Sequence, residues 1–568
     1  MKMIKKTIAF TLGLVMMGGA ASFAQSLADA KKAIDAEQYQ KATSMLKTLV
    51  NSDPKEGEIY FNLGNVYLIN EDVDSARVIY TKGITAAPKN ALNYIGLGHA
   101  DLITNNAAAA KANFDKAIDL GKKDYETYLY IGRAYFEQPK PDYAAALPNL
   151  QKADELDSKD KDVETFLALA DFYAIQSDNN KAYPQYLRAL DINPTLHRAN
   201  VQIGRMFKQA QGFIEAEAQE KKVIEADPNY GPAYRELAEV QMQWADFDPK
   251  NGPAKRTEAL ANMRKYLDLT DKSFDSRYRY VQFLFYAGDF QTLGTELATL
   301  KADPNNPKMF IVNRLQGYSA VEAKNYAEGV KYLSSLFAKK EDASRIVGTD
   351  YLYLGRAYQG IGNDSLALLN VTKGVELDTT KVEELADIAK KLYAAKAYDK
   401  AIPTFKKVIS LNSTNPNMAM NNFYLALAMY VKSGAKDRGL LVEADSAFAK
   451  VTRLAPDYEK AFLYRARVNK AIDVLDNPET QKGLSVPFYE KFIELVTVTN
   501  PDKAAANAKD LVDTYNYLGF LISGTDKEKA KEYFNKALAI DPQNAYAGDN
   551  LKALNAPPAP VKKAPIKK

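Results

Sequence analysis

Few residues in this sequence could do catalytic chemistry. Cysteine is absent, and there are two histidines, His99 and His197. Covalent catalysis needs a nucleophile beside a base, and the chain has no G-x-S-x-G, H-E-x-x-H or phosphate-loop motif to supply one. We interpret His99, which follows Gly98 in a helical pattern, as a groove or surface residue. His197, at a junction between two helical segments, is interpreted in the same way, and catalysis is the alternative for both.

One short segment carries oxygen donors of the kind that a calcium ion prefers. Asp246, Asp248 and Asn251 lie within DFDPKNG (246–252), but their spacing departs from that of a calcium-binding loop and no Glu follows at the twelfth position. A solvated insertion loop is the favoured interpretation, with metal binding as the alternative. The sequence therefore predicts a protein that is not an enzyme and has no catalytic residue, no metal site and no cofactor.

The elements that position these residues follow a repeat of 34 residues. Prolines keep this interval, since Pro54 precedes Pro88 and Pro194 precedes Pro228 by 34 positions. Apolar residues within one unit fall at helical spacings, so each unit is predicted to form two helices with a proline after the second. Small residues suit the point where two helices cross closely. Those at the same interval are Ala30, Gly64, Gly98 and Gly132, and, after a step of 38, Ala170, Gly204 and Ala238.

The stretch YFNLGNVYLINEDVDSARVIYTKGITAAP (60–88) resembles the tetratricopeptide repeat. The signature of that repeat has an aromatic residue, Leu-Gly and Tyr on a first helix, then Ala, an aromatic residue and Pro on a second. Further copies of the two helices lie at 128–136, 351–359, 515–523, 182–194 and 530–542. The resemblance covers about residues 25–555. It implies an all-α fold, a right-handed α-solenoid (superhelix) of about fourteen helix-turn-helix units with a C-terminal capping helix.

The repeats and their flanks divide the chain into five parts. These are a signal peptide at 1–24, an N-terminal repeat array at 25–270, degenerate repeat units at 271–345, a C-terminal array with the capping helix at 346–555, and a disordered Pro/Lys tail at 556–568. Insertions interrupt the array at 245–253, 432–443 and 472–485. Each insertion is too short to form a catalytic domain.

The N-terminus has the pattern of a secretory signal. Lys2, Lys5 and Lys6 precede an apolar run at 8–17, and small residues lead up to Ala24, where we predict cleavage. A membrane anchor is the disfavoured alternative, because the run is shorter than the roughly 20 apolar residues that span a bilayer. No cysteine follows to carry a lipid. We therefore expect an exported protein without a transmembrane span, periplasmic or envelope-associated, and not a lipoprotein.

The composition excludes two classes of protein. The chain of 568 residues is 46% apolar and 26% charged, which is ordinary for a folded protein, so disorder of the bulk is excluded. Its net charge is +4, but three lysines lie in the signal and four in the tail, so the body carries −3. A near-neutral exported body argues against nucleic acid as a partner.

The resemblance implies that first helices line a concave surface and that their outward positions contact a partner. Residues at these positions form an apolar row and a polar row beside it. The apolar row is Phe61, Ile95, Leu129, Leu167 and Val201, with Leu68 nearby, and the polar row is Asn65, His99, Arg133, Asp171 and Arg205. Such a groove could hold an extended peptide or a helix of a partner. The alternative is that the apolar side chains only pack between adjacent first helices.

Basic residues accumulate on the first helices of the middle units, among them Arg198, Arg205 and Arg235. An acidic ligand is one interpretation of these arginines, and pairing with the neighbouring Glu236 and Glu239 is the other. The sequence thus predicts an exported scaffold that binds protein or peptide partners of the cell envelope on its concave face. The alternative is an envelope protein that binds a small molecule or glycan, or has a weak enzymatic site in an insertion.

Overall fold

A computed structural model describes residues 26–157, 162–300, 306, 308–412 and 414–556. Over these ranges the chain forms 29 α-helices and no strand. The helices belong to two compact units, divided between Leu336 and Phe337. The predicted signal peptide and nearly all of the predicted Pro/Lys tail lie outside the described residues.

The described residues of unit 1 form nine helical hairpins. In each hairpin a first helix packs against the second helix that follows it, and successive hairpins pack in chain order. The helices are α1 (Leu27–Asp35), α2 (Tyr39–Ser52), α3 (Gly57–Ile69), α4 (Val73–Ala86), α5 (Leu92–Ile103), α6 (Ala107–Leu120), α7 (Tyr125–Phe136), α8 (Tyr143–Leu156), α9 (Val163–Ile175), α10 (Asn179–Ile192), α11 (His197–Gln209), α12 (Phe213–Ala226), α13 (Gly231–Phe247), α14 (Gly252–Leu269), α15 (Phe274–Ala287), α16 (Phe290–Leu297), α17 (Met309–Glu322) and α18 (Tyr326–Leu336).

In unit 2 the part of the chain that the structure describes forms five hairpins and a last single helix. The last helix packs on the hairpin before it, as expected for the predicted capping helix. The helices are α19 (Gly348–Gly360), α20 (Asp364–Leu377), α21 (Val382–Ala394), α22 (Tyr398–Leu411), α23 (Met418–Ser433), α24 (Arg438–Leu454), α25 (Glu459–Asp476), α26 (Val486–Glu494), α27 (Ala508–Ile522), α28 (Lys527–Ile540) and α29 (Ala545–Asn555). Short 3-10 segments lie at Lys340–Arg345, Thr379–Lys381, Pro501–Lys503 and Ala505–Asn507, and a π-helical turn at Leu495–Thr499. The fourteen hairpins agree with the predicted solenoid of about fourteen units.

The small residues lie where the two helices of a hairpin cross. A methyl group on Gly64 would overlap the ring of Tyr80, and one on Gly98 would overlap Phe114. At Gly132 the same added methyl would lie 2.6 Å from Leu150. The close crossing predicted from the sequence is therefore confirmed, and the large side chain of the second helix fills the space that glycine leaves.

The turn inside a hairpin has a recurrent backbone conformation. In several hairpins one residue of this turn has a backbone conformation in the left-handed region, and it occupies the same position of the repeat. Examples are Glu37 (φ 57°), Glu71 (φ 63°), Asn105 (φ 58°), Ser177 (φ 60°) and Gln211 (φ 60°). The residue that follows often caps the second helix, as Asp72 does by accepting from the Ser75 backbone N–H at 3.0 Å. These hairpins thus each present one turn residue of this conformation at the tip.

The insertion at 245–253 is mostly helical. Helix α13 continues to Phe247 and α14 begins at Gly252, so the segment contributes one turn between two helices. Asp246 pairs with Arg256 at 2.7 Å, and Asp248 accepts from the Asn251 side chain at 2.7 Å. The predicted insertion loop is therefore an extension of the hairpin, closed by its own polar contacts.

Candidate functional site

The first helices of unit 1 surround a cavity of about 1390 Å³. Its wall comes from α1, α2, α3, α5 and α7, from the starts of α9 and α11, and from the turn before α13. It brings together seven of the twelve predicted partner-binding residues: Phe61, Asn65, Leu68, Ile95, His99, Arg133 and Arg198. Glu164, Asp35 and Tyr230 line it as well. Residues from seven helices, up to about 200 positions apart in the chain, therefore face one space.

The apolar row divides into two parts. Leu129 and Leu167 are fully buried in the cores between helices, so the packing alternative describes them. Phe61 and Ile95 are 4% and 1% exposed, and they contribute to both the core and the cavity wall. The Phe61 ring meets Tyr130 edge-on with 4.9 Å between centroids. Phe61 and Ile95 therefore support the cavity wall, and little of their own surface is accessible to a ligand.

Two members of the polar row complete hydrogen bonds inside their own hairpins. Asn65 accepts from the Tyr80 hydroxyl at 2.7 Å, and Asp171 accepts from the Tyr186 hydroxyl at the same distance. Both tyrosine side chains are fully buried, and a buried hydroxyl needs a partner. Burial raises the pKa of Asp171 above its ordinary value, although the charge of Arg133 opposes this shift. Asn65 and Asp171 thus have a structural task, and Asn65 also lines the cavity.

His99 has no such task, because the second helix opposite it carries Phe114, which has no hydroxyl. The buried His99 Nε2 has no hydrogen-bond partner within the described part of the chain. Burial lowers the pKa of His99 to about 4, so the ring is neutral at pH 7. A neutral imidazole can donate or accept at its ring nitrogens, which makes His99 an uncommitted polar group in the wall.

A chain of charges crosses the wall of the cavity. Arg133 lies 3.3 Å from Glu164, Glu164 also pairs with Arg198, and Arg198 lies 3.6 Å from Asp35. Burial opposes ionisation of Glu164, but the charges of Arg198 and Arg133 hold its pKa below the ordinary value. Burial raises the pKa of Asp35 despite the nearby Arg198. The two arginines are therefore already neutralised by carboxylates of the chain.

Arg205 and Arg235 lie outside the cavity lining and are paired, as one interpretation of the sequence had them. Arg205 donates to Glu236 at 2.9 Å, and Arg235 lies 3.4 Å from Glu239. One member of each pair is buried, since Glu236 is 0% and Arg235 is 8% exposed. Although burial opposes it, the charges of Arg205, Lys208 and Arg235 lower the pKa of Glu236 to about 2.

The contribution of the first hairpin to the cavity was not predicted from the sequence. Asp35 lines the cavity, and Glu37 at the tip of the hairpin accepts from the Tyr266 hydroxyl at 2.6 Å and from Arg235 at 3.0 Å. These partners are about 200 to 230 positions away in the chain. Asp35 at the end of α1 and Glu37 in the turn do not differ in type or spacing from other acidic residues of the repeats. The sequence therefore could not have revealed a contact with residues so far along the chain.

Two family models described as tetratricopeptide repeat match the chain, at residues 27–91 and 515–544. With the fourteen hairpins and the glycines at their crossings, these matches make the chain a tetratricopeptide repeat protein. Repeats of this class support a role as a protein-interaction scaffold. Within the part of the chain that the structure describes, no helix is long and apolar enough to cross a membrane.

Three solved structures are similar to this chain. The C-terminal part of a TPR repeat-containing protein from Cytophaga hutchinsonii is 28% identical, covering 48% of this chain and 99% of its own, with a TM-score of 0.34. Pseudomonas aeruginosa pilF is 16% identical over 39% of this chain and 97% of its own, with a TM-score of 0.29. The MamA protein is 19% identical over 32% of this chain and 92% of its own, with a TM-score of 0.24. The comparison with curated proteins gives no match.

Proposed function

We propose that this protein is an exported scaffold without enzymatic turnover, which binds a segment of another envelope protein at the cavity of unit 1. The observation that carries the proposal is the meeting of seven predicted partner-binding residues around one space. Export and the envelope setting rest on the basic, apolar and small-residue pattern of residues 1–24.

The wall of the cavity suits a peptide segment that has both apolar and polar groups. Leu68 is half-buried and faces the cavity beside Ile95, while His99 adds a neutral polar group. The arginines of the wall are neutralised by Glu164 and Asp35, so the wall is not built for a strongly charged ligand. An uncharged stretch with one apolar side chain and a hydrogen-bonding group therefore matches this surface best.

Capture from an envelope extract tests the proposal, with the mature chain immobilised. Leu68→Glu places a charge in the wall, and Leu187→Glu is the matched control because Leu187 lies on the second helix α10 and is 40% exposed. We expect specific proteins to be lost with Leu68→Glu and retained with Leu187→Glu. The same set of proteins on both variants would contradict the proposal.

The size of the cavity also favours a second candidate function. A volume of about 1390 Å³ exceeds the roughly 300 to 1,000 Å³ of typical small-molecule sites, so a small molecule or glycan would fit. The same variants separate the two functions. A compound that raises the melting temperature of the unchanged chain but not of Leu68→Glu, with no captured protein, would support the small-ligand function.

A further inference from the structure

We propose that the first hairpin of unit 1, residues 27–52, is an intramolecular latch across the cavity, and that a macromolecular partner enters when this latch is released. The identity of the cavity as a partner site rests on the proposed function. The latch itself does not, because its contacts are made within the chain.

The tip of the hairpin is held by a buried carboxylate. Glu37 stands in the left-handed conformation at the turn, and its side chain is 13% exposed. Its two oxygens accept from Arg235 at 3.0 Å and from the Tyr266 hydroxyl at 2.6 Å. Burial disfavours the charged form of Glu37, but the nearby Arg235 and Arg279 hold its pKa below the ordinary value. The tip is therefore anchored by a charged contact at neutral pH.

Three further contacts flank this anchor. Asp35 lies 3.6 Å from Arg198, and the Gln38 side chain donates to the Leu269 carbonyl at 3.0 Å. The Lys41 backbone N–H donates to Asp271 at 3.0 Å. The receiving groups lie on α11, on α14 and in the turn after α14. The first hairpin, which itself lines the cavity, thus contacts α11, another helix of the cavity wall, as well as α14 and the turn that follows it.

The latch is polar where it crosses the cavity and apolar where it joins its neighbour. Ala30, Ala33 and Leu46 of the hairpin share a buried cluster with Leu63 and Val66 of α3. Across the cavity, Ala36 packs on the cluster that contains Tyr230, and the other contacts given above are ion pairs and hydrogen bonds. The tip can therefore leave its receptor while the hairpin keeps its apolar contact with α3, which is the character of a local opening.

The second hairpin provides a matched comparison. Its turn residue Glu71 has the same conformation and the same side chain as Glu37. It lies 3.9 Å from Lys308, and its side chain is 56% exposed. Because the Glu71 carboxylate is exposed and the distance is long, this pair contributes little, whereas removal of one partner from a buried pair is strongly destabilising. The latch function is therefore specific to Glu37 and is not shared by every residue at this position of the turn.

The absence of cysteine allows a direct test with the full mature chain. His99→Cys places one thiol in the cavity wall. Its reaction rate is measured with a small methanethiosulfonate and with a maleimide attached to a long polyethylene glycol chain. The small reagent reports thiol reactivity, and the bulky reagent reports whether the cavity is open to a polymer.

We expect Glu37→Gln to raise the rate of the bulky reagent by about tenfold or more, since the tip loses its charged contact with the buried Arg235, and to leave the rate of the small reagent unchanged. Glu71→Gln, the matched control, should change neither rate. An unchanged bulky rate in Glu37→Gln, with the helical circular dichroism of the parent chain, would overturn the proposal.

A second measurement covers the case in which Glu37→Gln folds poorly. A fluorophore pair at Lys41→Cys and Lys272→Cys, two exposed positions beside the Lys41 to Asp271 contact, reports the distance across the latch. In that background Asp271→Ala should increase the distance, and an unchanged distance would overturn the proposal. Both measurements work without a partner, so failure of the capture experiment and failure of the latch are separate results.

Discussion

The Tyr80 hydroxyl donates a 2.7 Å hydrogen bond to the side chain of Asn65, across the two helices of one hairpin. Tyr186 and Asp171 repeat this contact three hairpins later, at the same interval of 15 residues. Where the second helix carries Phe114 instead, the corresponding His99 has a ring nitrogen with no hydrogen-bond partner among the described residues. In these three hairpins, a tyrosine on the second helix bonds to the polar residue on the first helix, and a phenylalanine leaves that residue available to a ligand.

The two tyrosine contacts should differ in strength. We expect Tyr80→Phe to destabilise unit 1 by about 1 kcal/mol, because one neutral hydrogen bond is lost. Tyr186→Phe should cost about 1.5 to 3 kcal/mol, because its acceptor is the carboxyl group of Asp171. Urea unfolding of the two variants measures both values. Tyr128→Phe, whose hydroxyl bonds to the Lys122 carbonyl in an exposed place, is the control, and equal losses in all three would contradict the prediction.

The glycines at the helix crossings should not tolerate a methyl group. Gly64→Ala places its new atom inside the Tyr80 ring, so we expect overpacking to cost about 1 to 3 kcal/mol. Helix propensity alone would make the same change favourable by about 1 kcal/mol. Gly548→Ala on α29, where an added methyl meets no atom of the described residues within 4 Å, isolates that propensity. Opposite shifts of the urea midpoint in the two variants are the expected result, and shifts of the same sign would contradict it.

The fold was predictable because every hairpin repeats the same packing problem. Small residues, aromatics and prolines return at one interval, and this interval identifies the two helices and their crossing. The site was predictable only in part. Leu129 and Leu167 share the register of Phe61 and Ile95, yet they are buried away from the cavity. Which residue of a helix faces the cavity depends on the rotation between successive hairpins, and a single sequence carries no measure of that rotation.

The contact of Glu37 with Arg235 and Tyr266 could not be predicted from the sequence, for a different reason. Repeats encode contacts between neighbours in the chain, whereas this contact joins the first hairpin to helices about 200 positions later. It depends on the accumulated curvature of the intervening hairpins. Glu37 and Glu71 are alike in sequence, and only their places in the fold distinguish them.

Unit 1 should lose stability below neutral pH because of His99. Its pKa is about 4 in the folded chain against an ordinary value of 6.5, so the folded state binds fewer protons than the unfolded state between these values. The full contribution is present above pH 6.5, and it decreases as the pH falls towards 4. The loss across this window should reach up to about 3 kcal/mol. His99→Gln should flatten the dependence in urea unfolding between about pH 7.5 and about pH 4.5, and an unchanged slope would contradict the prediction.

The insertion at 472–485 should depend on one buried carboxylate. Asp473 is 0% exposed and accepts from the backbone N–H groups of Lys482 at 2.9 Å and Gly483 at 2.7 Å. Asp473→Asn should destabilise this loop by about 1 to 3 kcal/mol, because an amide brings N–H groups towards other N–H groups. Amide hydrogen exchange at residues 482–484 measures the effect.

Asp476→Asn is the matched control for the loop, because Asp476 pairs with the exposed Arg438 at 2.6 Å. A surface pair of this kind contributes at most about 1 kcal/mol and does not touch the loop amides. Faster exchange at 482–484 in Asp473→Asn alone would establish that the loop is folded onto helix α25 by its own backbone. Equal exchange in both variants would mean that the apolar contacts of α26 hold the insertion in place.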